Sequence, residues 1–210
     1  MNWGAFYNDI TEFKESPFGR FFDRMKYMAD KMLKGKNIAM VIAFRDFQDI
    51  EYFITRNVLL AAGARIATLS SEKGLAIGAD GGEAQINLLA PDFKAENFDA
   101  LVFVGGHGLV KDLDNKDFHD IAKDTVAKNK VLGAICIAPA LLAKAGVLNG
   151  KKATVWSSSI DKSAIKMLKE QGAEYQEEDV IADGKIVTAS GPPAAKKFGE
   201  AIISLLTSFS

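Results

Sequence analysis

From residue 36 onward, short continuously apolar runs alternate with segments whose apolar residues recur every three or four positions. Residues 37–43 (NIAMVIA), 65–69, 100–104 (ALVFV) and 131–135 (VLGAI) read as strands buried on both faces. Between them, residues 47–62, 117–128, 139–145, 162–171 and 193–206 carry the spacing of helices that bury one face. Residues 74–89 hold four glycines around short β-like pieces and predict a small hairpin. Residues 154–156 predict a short strand, and Asp183-Gly184 a tight turn joining strands at 180–182 and 185–188. Alternation of this kind implies an α/β domain. The expected architecture is a three-layer sandwich with a mostly parallel sheet covered by helices on both faces.

Residues 1–35 stand apart from this pattern. Phe18, Phe21, Phe22, Met25, Met28, Ala29, Met32 and Leu33 mark an amphipathic helix, with Ser16 as cap, Pro17 at its first turn and Gly35 at its end. A shorter apolar series, Trp3, Phe6, Tyr7, Ile10 and Phe13, precedes it. The expected organisation is a helical extension over residues 1–35, covering an apolar surface of this chain or of a partner subunit, and an α/β domain over 36–210.

Composition narrows the function classes. Among 210 residues, 26 Lys and Arg nearly balance 27 Asp and Glu, so no general attraction to nucleic acid or acidic membranes is expected. The longest apolar run, residues 131–143, is too short to span a bilayer, and the N-terminus lacks the pattern of a secretory signal. A cytoplasmic location is the expectation. A single cysteine, Cys136, excludes an intrachain disulfide and any multi-cysteine metal site. No metal and no cofactor is expected.

Cys136 falls where a buried strand turns sharply into a helix, the geometry of a nucleophile elbow. A helix start favours negative charge, so its thiol pKa is expected to fall, with the Ile137 amide available to an oxyanion. The previous strand ends in Gly105-Gly106-His107-Gly108, whose glycine amides are candidate oxyanion donors and whose histidine is a candidate base. His119 lies in a polar helical stretch and reads as surface. Asp46, Asp49 and Glu51 follow the first strand. Glu51 can point into the cleft, the two aspartates suit a helix start, and the residues alone do not choose among the three.

Three segments taken together resemble the ThiJ/PfpI superfamily, the DJ-1/PfpI group with the class I glutamine amidotransferase-like fold. They are Asp49-Ile50-Glu51, VFVGGHGLVKDL and AICIAPALLAKAGVLNGKKATVW, supported by ASGPP before the last helix. The resemblance covers roughly residues 36–207 and implies a flavodoxin-like sandwich in a homodimer or larger homo-oligomer. It implies Cys136 as nucleophile and Glu51 as the acid that hydrogen-bonds the thiol. Gly105, Gly106 and Ile137 become the oxyanion donors. The chain departs from the pattern where other branches place a histidine, with Ile137 directly after the cysteine and Trp156 further on. A Cys-His-acid peptidase or amidohydrolase is therefore disfavoured unless His107 or another subunit supplies the base. The leading expectation is cofactor-free glyoxalase or deglycase chemistry on a small carbonyl or a modified protein. A redox-sensing or chaperone-like stress protein is the alternative.

Overall fold

The computed structural model describes residues 32–208, so all but the last four residues of the helical extension expected over 1–35 lie outside the described residues. Residues 32–35 form a turn, with Leu33 buried and its N–H donated to the Ala62 carbonyl.

The central sheet is built from β1 (Asn37–Val41), β3 (Arg65–Ser70), β6 (Leu88–Leu89), β7 (Ala100–Phe103), β8 (Val131–Ile135), β11 (Val180–Asp183) and β12 (Ile186–Ala189). Their spatial order is β11-β12-β8-β7-β1-β3-β6, parallel throughout except for β11. Side-chain alternation in the inner strands supplies both faces of the sheet. Ile38, Met40 and Val102 pack with Leu59, Phe198 and Ile202 from α1 (Asp49–Ala61) and α6 (Ala195–Ser208). Ala39, Val41 and Phe103 pack with Phe118 and Leu141 from α3 (Lys116–Ala127) and α4 (Ala138–Lys144). The fold is the three-layer sandwich expected from the alternating pattern, of the flavodoxin-like type that the resemblance implies.

The chain steps outward from β1 to β3 and β6, then returns to the other side of β1 for β7, β8 and β12. This reversal opens a crevice beyond the carboxyl ends of β1 and β7, where such sheets place their ligands. Glu51 follows β1, Gly105 follows β7 and Cys136 follows β8, so all three lie at this end.

Several local expectations change. The helix expected from residue 47 begins at Asp49, because Phe47 belongs to β2 (Arg45–Phe47), which pairs in parallel with β4 (Leu75–Gly78). Gln48 caps the helix, its side chain accepting from Ile50 N–H, a role the sequence had offered to the aspartates. The glycine-rich hairpin forms from β4 and β5 (Glu83–Gln85). The short strand expected at 154–156 lies instead at β9 (Lys152–Ala153), paired with β10 (Glu174–Tyr175). The GGHG segment leads into a single turn, α2 (His107–Val110), too short to show a helical period in sequence.

Asp49 is buried and accepts from the N–H groups of Asp80 and Gly82, at 2.9 and 2.6 Å, tying the β4–β5 turn to α1. Asp49→Ala is expected to lower stability by about 2 kcal/mol, because two amides lose a charged acceptor. Urea denaturation measures this, and Asp49→Asn, which keeps one carbonyl acceptor, is expected to lose less.

Candidate active site

Cys136 has φ of 64°, in the left-handed region that side chains rarely occupy. Main-chain hydrogen bonds hold this elbow from both sides. Its N–H donates to the Ala189 carbonyl at the end of β12, and its carbonyl accepts from Trp156 N–H, each at 2.9 Å. The elbow expected from the strand-to-helix junction is therefore formed, with Ile137 immediately before α4.

Glu51 lies in the first turn of α1 and is completely buried. Its Oε2 accepts from Gly105 N–H at 3.0 Å. A methyl group at Gly105 would stand 2.6 Å from Cys136 Cβ and 2.8 Å from Glu51 Oε2. Carboxyl and thiol thus come together across a position that only glycine leaves free. Oε1 has no ordinary hydrogen-bond partner among the described residues. Burial pushes the Glu51 pKa up to about 7, against the smaller opposing effects of the Cys136 thiol and the Gly105 amide.

The thiol does not follow the expectation of a lowered pKa. Burial and the adjacent Glu51 carboxylate push it well above the usual cysteine range, and the Ile137 and Gly106 N–H groups offset this only in part. A buried pair that already holds one negative charge resists a second. The helix start is present, but it is outweighed by desolvation and by the acid.

The other candidates separate clearly. Gly106 and Ile137 keep their N–H groups near the sulfur, whereas Gly105 donates its own to Glu51, so as an oxyanion donor it is already engaged. His107 is exposed at the start of α2 and lines the same cavity as Cys136, with no hydrogen bond to Cys136 or Glu51 among the described contacts. His119 is half-buried on α3, where Nε2 donates to the Leu113 carbonyl at 2.8 Å. Asp46 is exposed with φ of 57°, and Asp49 holds the β4–β5 turn, leaving Glu51 as the one acid of the three in the site. No group of three or more metal-ligating side chains occurs among the described residues.

A cavity of about 390 Å3 opens over Cys136 and Glu51. Gln48, Trp156, Asp161, Ser163, Met167 and Pro192 also line it. Of these the sequence pointed to Trp156, as the residue standing where other branches carry histidine, and to Pro192 within the ASGPP segment. Asp161, Ser163 and Met167 arrive on α5 (Ser163–Glu170) and the loop before it, a tertiary approach with no local signature. No helix among the described residues is long and apolar enough to cross a membrane.

Residues 36–205 match the profile of the DJ-1/PfpI family. An uncharacterised protein of Methanocaldococcus jannaschii is 35% identical over 175 residues, spanning 83% of this chain and 84% of its own. The deglycase PfpI of Pyrococcus furiosus is 28% identical over 73% of this chain and 89% of its own. The crystal structure of a ThiJ/PfpI domain protein from Brachyspira murdochii superposes with a TM-score of 0.80 at 32% identity, covering 84% of this chain and 99% of that one. The family match extends over most of the chain, and the chain belongs to the DJ-1/PfpI family.

Proposed function

We propose that the protein converts reactive carbonyls without a cofactor, with Cys136 as nucleophile and Glu51 as the proton carrier. The observation that supports this most is the pairing itself, a buried carboxyl of pKa about 7 against an elbow thiol. A base is most effective when its pKa lies near the working pH. The relative named deglycase supports the same class of chemistry.

In this mechanism Sγ attacks the aldehyde carbon of an α-oxoaldehyde. The thiol proton passes through the Glu51 carboxylate to the new alkoxide, giving a hemithioacetal. The Gly106 and Ile137 N–H groups stabilise the oxyanion while it lasts. Glu51 then removes the proton on the former aldehyde carbon to give an enediolate and returns it to the neighbouring carbon, while the hemithioacetal hydroxyl proton passes to the neighbouring oxygen, leaving a thioester with a 2-hydroxyl group. Water cleaves the carbon–sulfur bond, freeing the thiol and a 2-hydroxy acid. The sum is aldehyde plus one water, with no external oxidant or reductant. Action on a carbonyl-modified protein would begin with the same attack.

The raised thiol pKa fits this reading better than a redox sensor, which needs a standing thiolate. The exposed His107 gives little support to a peptidase, which needs a base aligned on the sulfur.

Cys136→Ser is expected to abolish lactate formation from methylglyoxal. Glu51→Gln is expected to lower kcat by about 10²–10⁴-fold. Unchanged turnover in either variant refutes the assignment. In the wild type, kcat/KM is expected to rise as pH passes through about 7, as Glu51 ionises.

Stability is expected to move the other way. The folded-state pKa lies above the ordinary 4.5, so stability is greatest below that value and falls as pH rises to about 7. Relative to Glu51→Gln, the wild type is expected to lose on the order of 3 kcal/mol between pH 4 and pH 8, measured by urea denaturation at each pH. An inactive Glu51→Gln that is no less stable at pH 8 separates lost chemistry from lost fold.

A further inference from the structure

The cavity over Cys136, at about 390 Å3, is far larger than a three-carbon dicarbonyl needs and is in the size range of pockets that enclose much bulkier ligands. Its wall is divided in character. Val110, Leu113, Ile137, Trp156 and Met167 form an apolar side. The Trp156 main chain is fixed by its hydrogen bond to the Cys136 carbonyl, and Trp156 Cδ1 stands over Gly191, where a methyl group would lie 3.5 Å from it. An indole lining the same cavity as the nucleophile offers a stacking surface, and Met167 in the same lining adapts to an aromatic partner.

The charged groups set a second limit. Neither lysine nor arginine lines the cavity among the described residues, and its ionisable members are Glu51, His107, Cys136 and Asp161. The exposed Asp161 accepts from Ser163 N–H at 2.9 Å, which favours its carboxylate form. An anionic substrate would meet a fixed negative charge at the mouth and a second acid within, with no guanidinium or ammonium group to pair with.

From this geometry we infer that the site is selective for neutral α-oxoaldehydes carrying a bulky apolar substituent, aryl or branched alkyl, over methylglyoxal and over anionic carbonyl acids. The inference rests on the carbonyl chemistry proposed above and deepens it. The formyl carbon is presented to Sγ, the substituent lies between Trp156 and Met167, and Asp161 turns away a carboxylate or phosphate.

The test measures kcat/KM of the full-length protein with phenylglyoxal, methylglyoxal and glyoxylate. Phenylglyoxal is expected to exceed methylglyoxal by about tenfold or more, the scale on which a well-filled apolar pocket discriminates. Glyoxylate is expected to be neither turned over nor inhibitory. Met167→Trp, which fills the apolar side, is expected to bring the phenylglyoxal-to-methylglyoxal ratio toward one. A wild-type ratio of one or below, an unchanged ratio in Met167→Trp, or ready turnover of glyoxylate overturns the inference.

Ligand-observed NMR on Cys136→Ser separates selectivity from chemistry. If the wild type processes no aldehyde, the carbonyl mechanism falls. Saturation transfer to phenylglyoxal but not to glyoxylate then still supports the selectivity, and the reverse pattern overturns it.

Discussion

The carboxyl of Glu51 sits wholly inside the protein, with Gly105 N–H on one oxygen and the Cys136 elbow beside it. Much of the site's layout follows from placing these three at one point. A buried acid needs donors or it must stay neutral, and the Cys136 thiol and Gly105 amide offset its burial only in part, leaving it poised between the two states near neutral pH. The same burial denies the thiol an early ionisation. In the proposed chemistry, carboxyl and thiol act as one proton-sharing unit, so that attack on a carbonyl needs neither a permanent thiolate nor a histidine.

That point of contact depends on three successive connections at the sheet's reversal. The loop after β1 carries β2 and the start of α1, and it packs directly on the glycine loop after β7. Gln48 N–H donates to the Gly105 carbonyl at 3.0 Å, and a side chain at Gly108 would collide with the Arg45 carbonyl oxygen. Asp49 anchors the other side of the same segment to the β4–β5 turn. The Glu51 carboxyl is thus positioned by backbone packing on both flanks, and its neighbours in sequence serve that packing.

The alternating pattern made the sheet, its helices and the elbow legible, because continuous apolar strands and amphipathic helices leave strong periodic signals. The short elements β2, β6 and α2 were not legible, since their form comes from contacts with distant segments. The site divides in the same way. Cys136 and the glycines announce themselves by residue type and position at strand ends. Glu51 could not be told from Asp46 and Asp49 by local chemistry, because what distinguishes it is burial against Gly105. The direction of the thiol pKa was read from the helix start alone, whereas desolvation and the facing acid, both tertiary, outweigh it. Met167 and Asp161 reach the cavity from a later connection that carries no mark of its destination.

The backbone conformation of Cys136 also bears on how this chain can change. A side chain held at φ of 64° costs on the order of 1–3 kcal/mol, and glycine would remove most of that strain. Substitutions that make the elbow more comfortable are therefore the ones that discard the sulfur, so at this position selection for stability and selection for chemistry pull in opposite directions. A lineage that no longer needed the reaction would be expected to drift toward glycine there while keeping the rest of the sandwich intact.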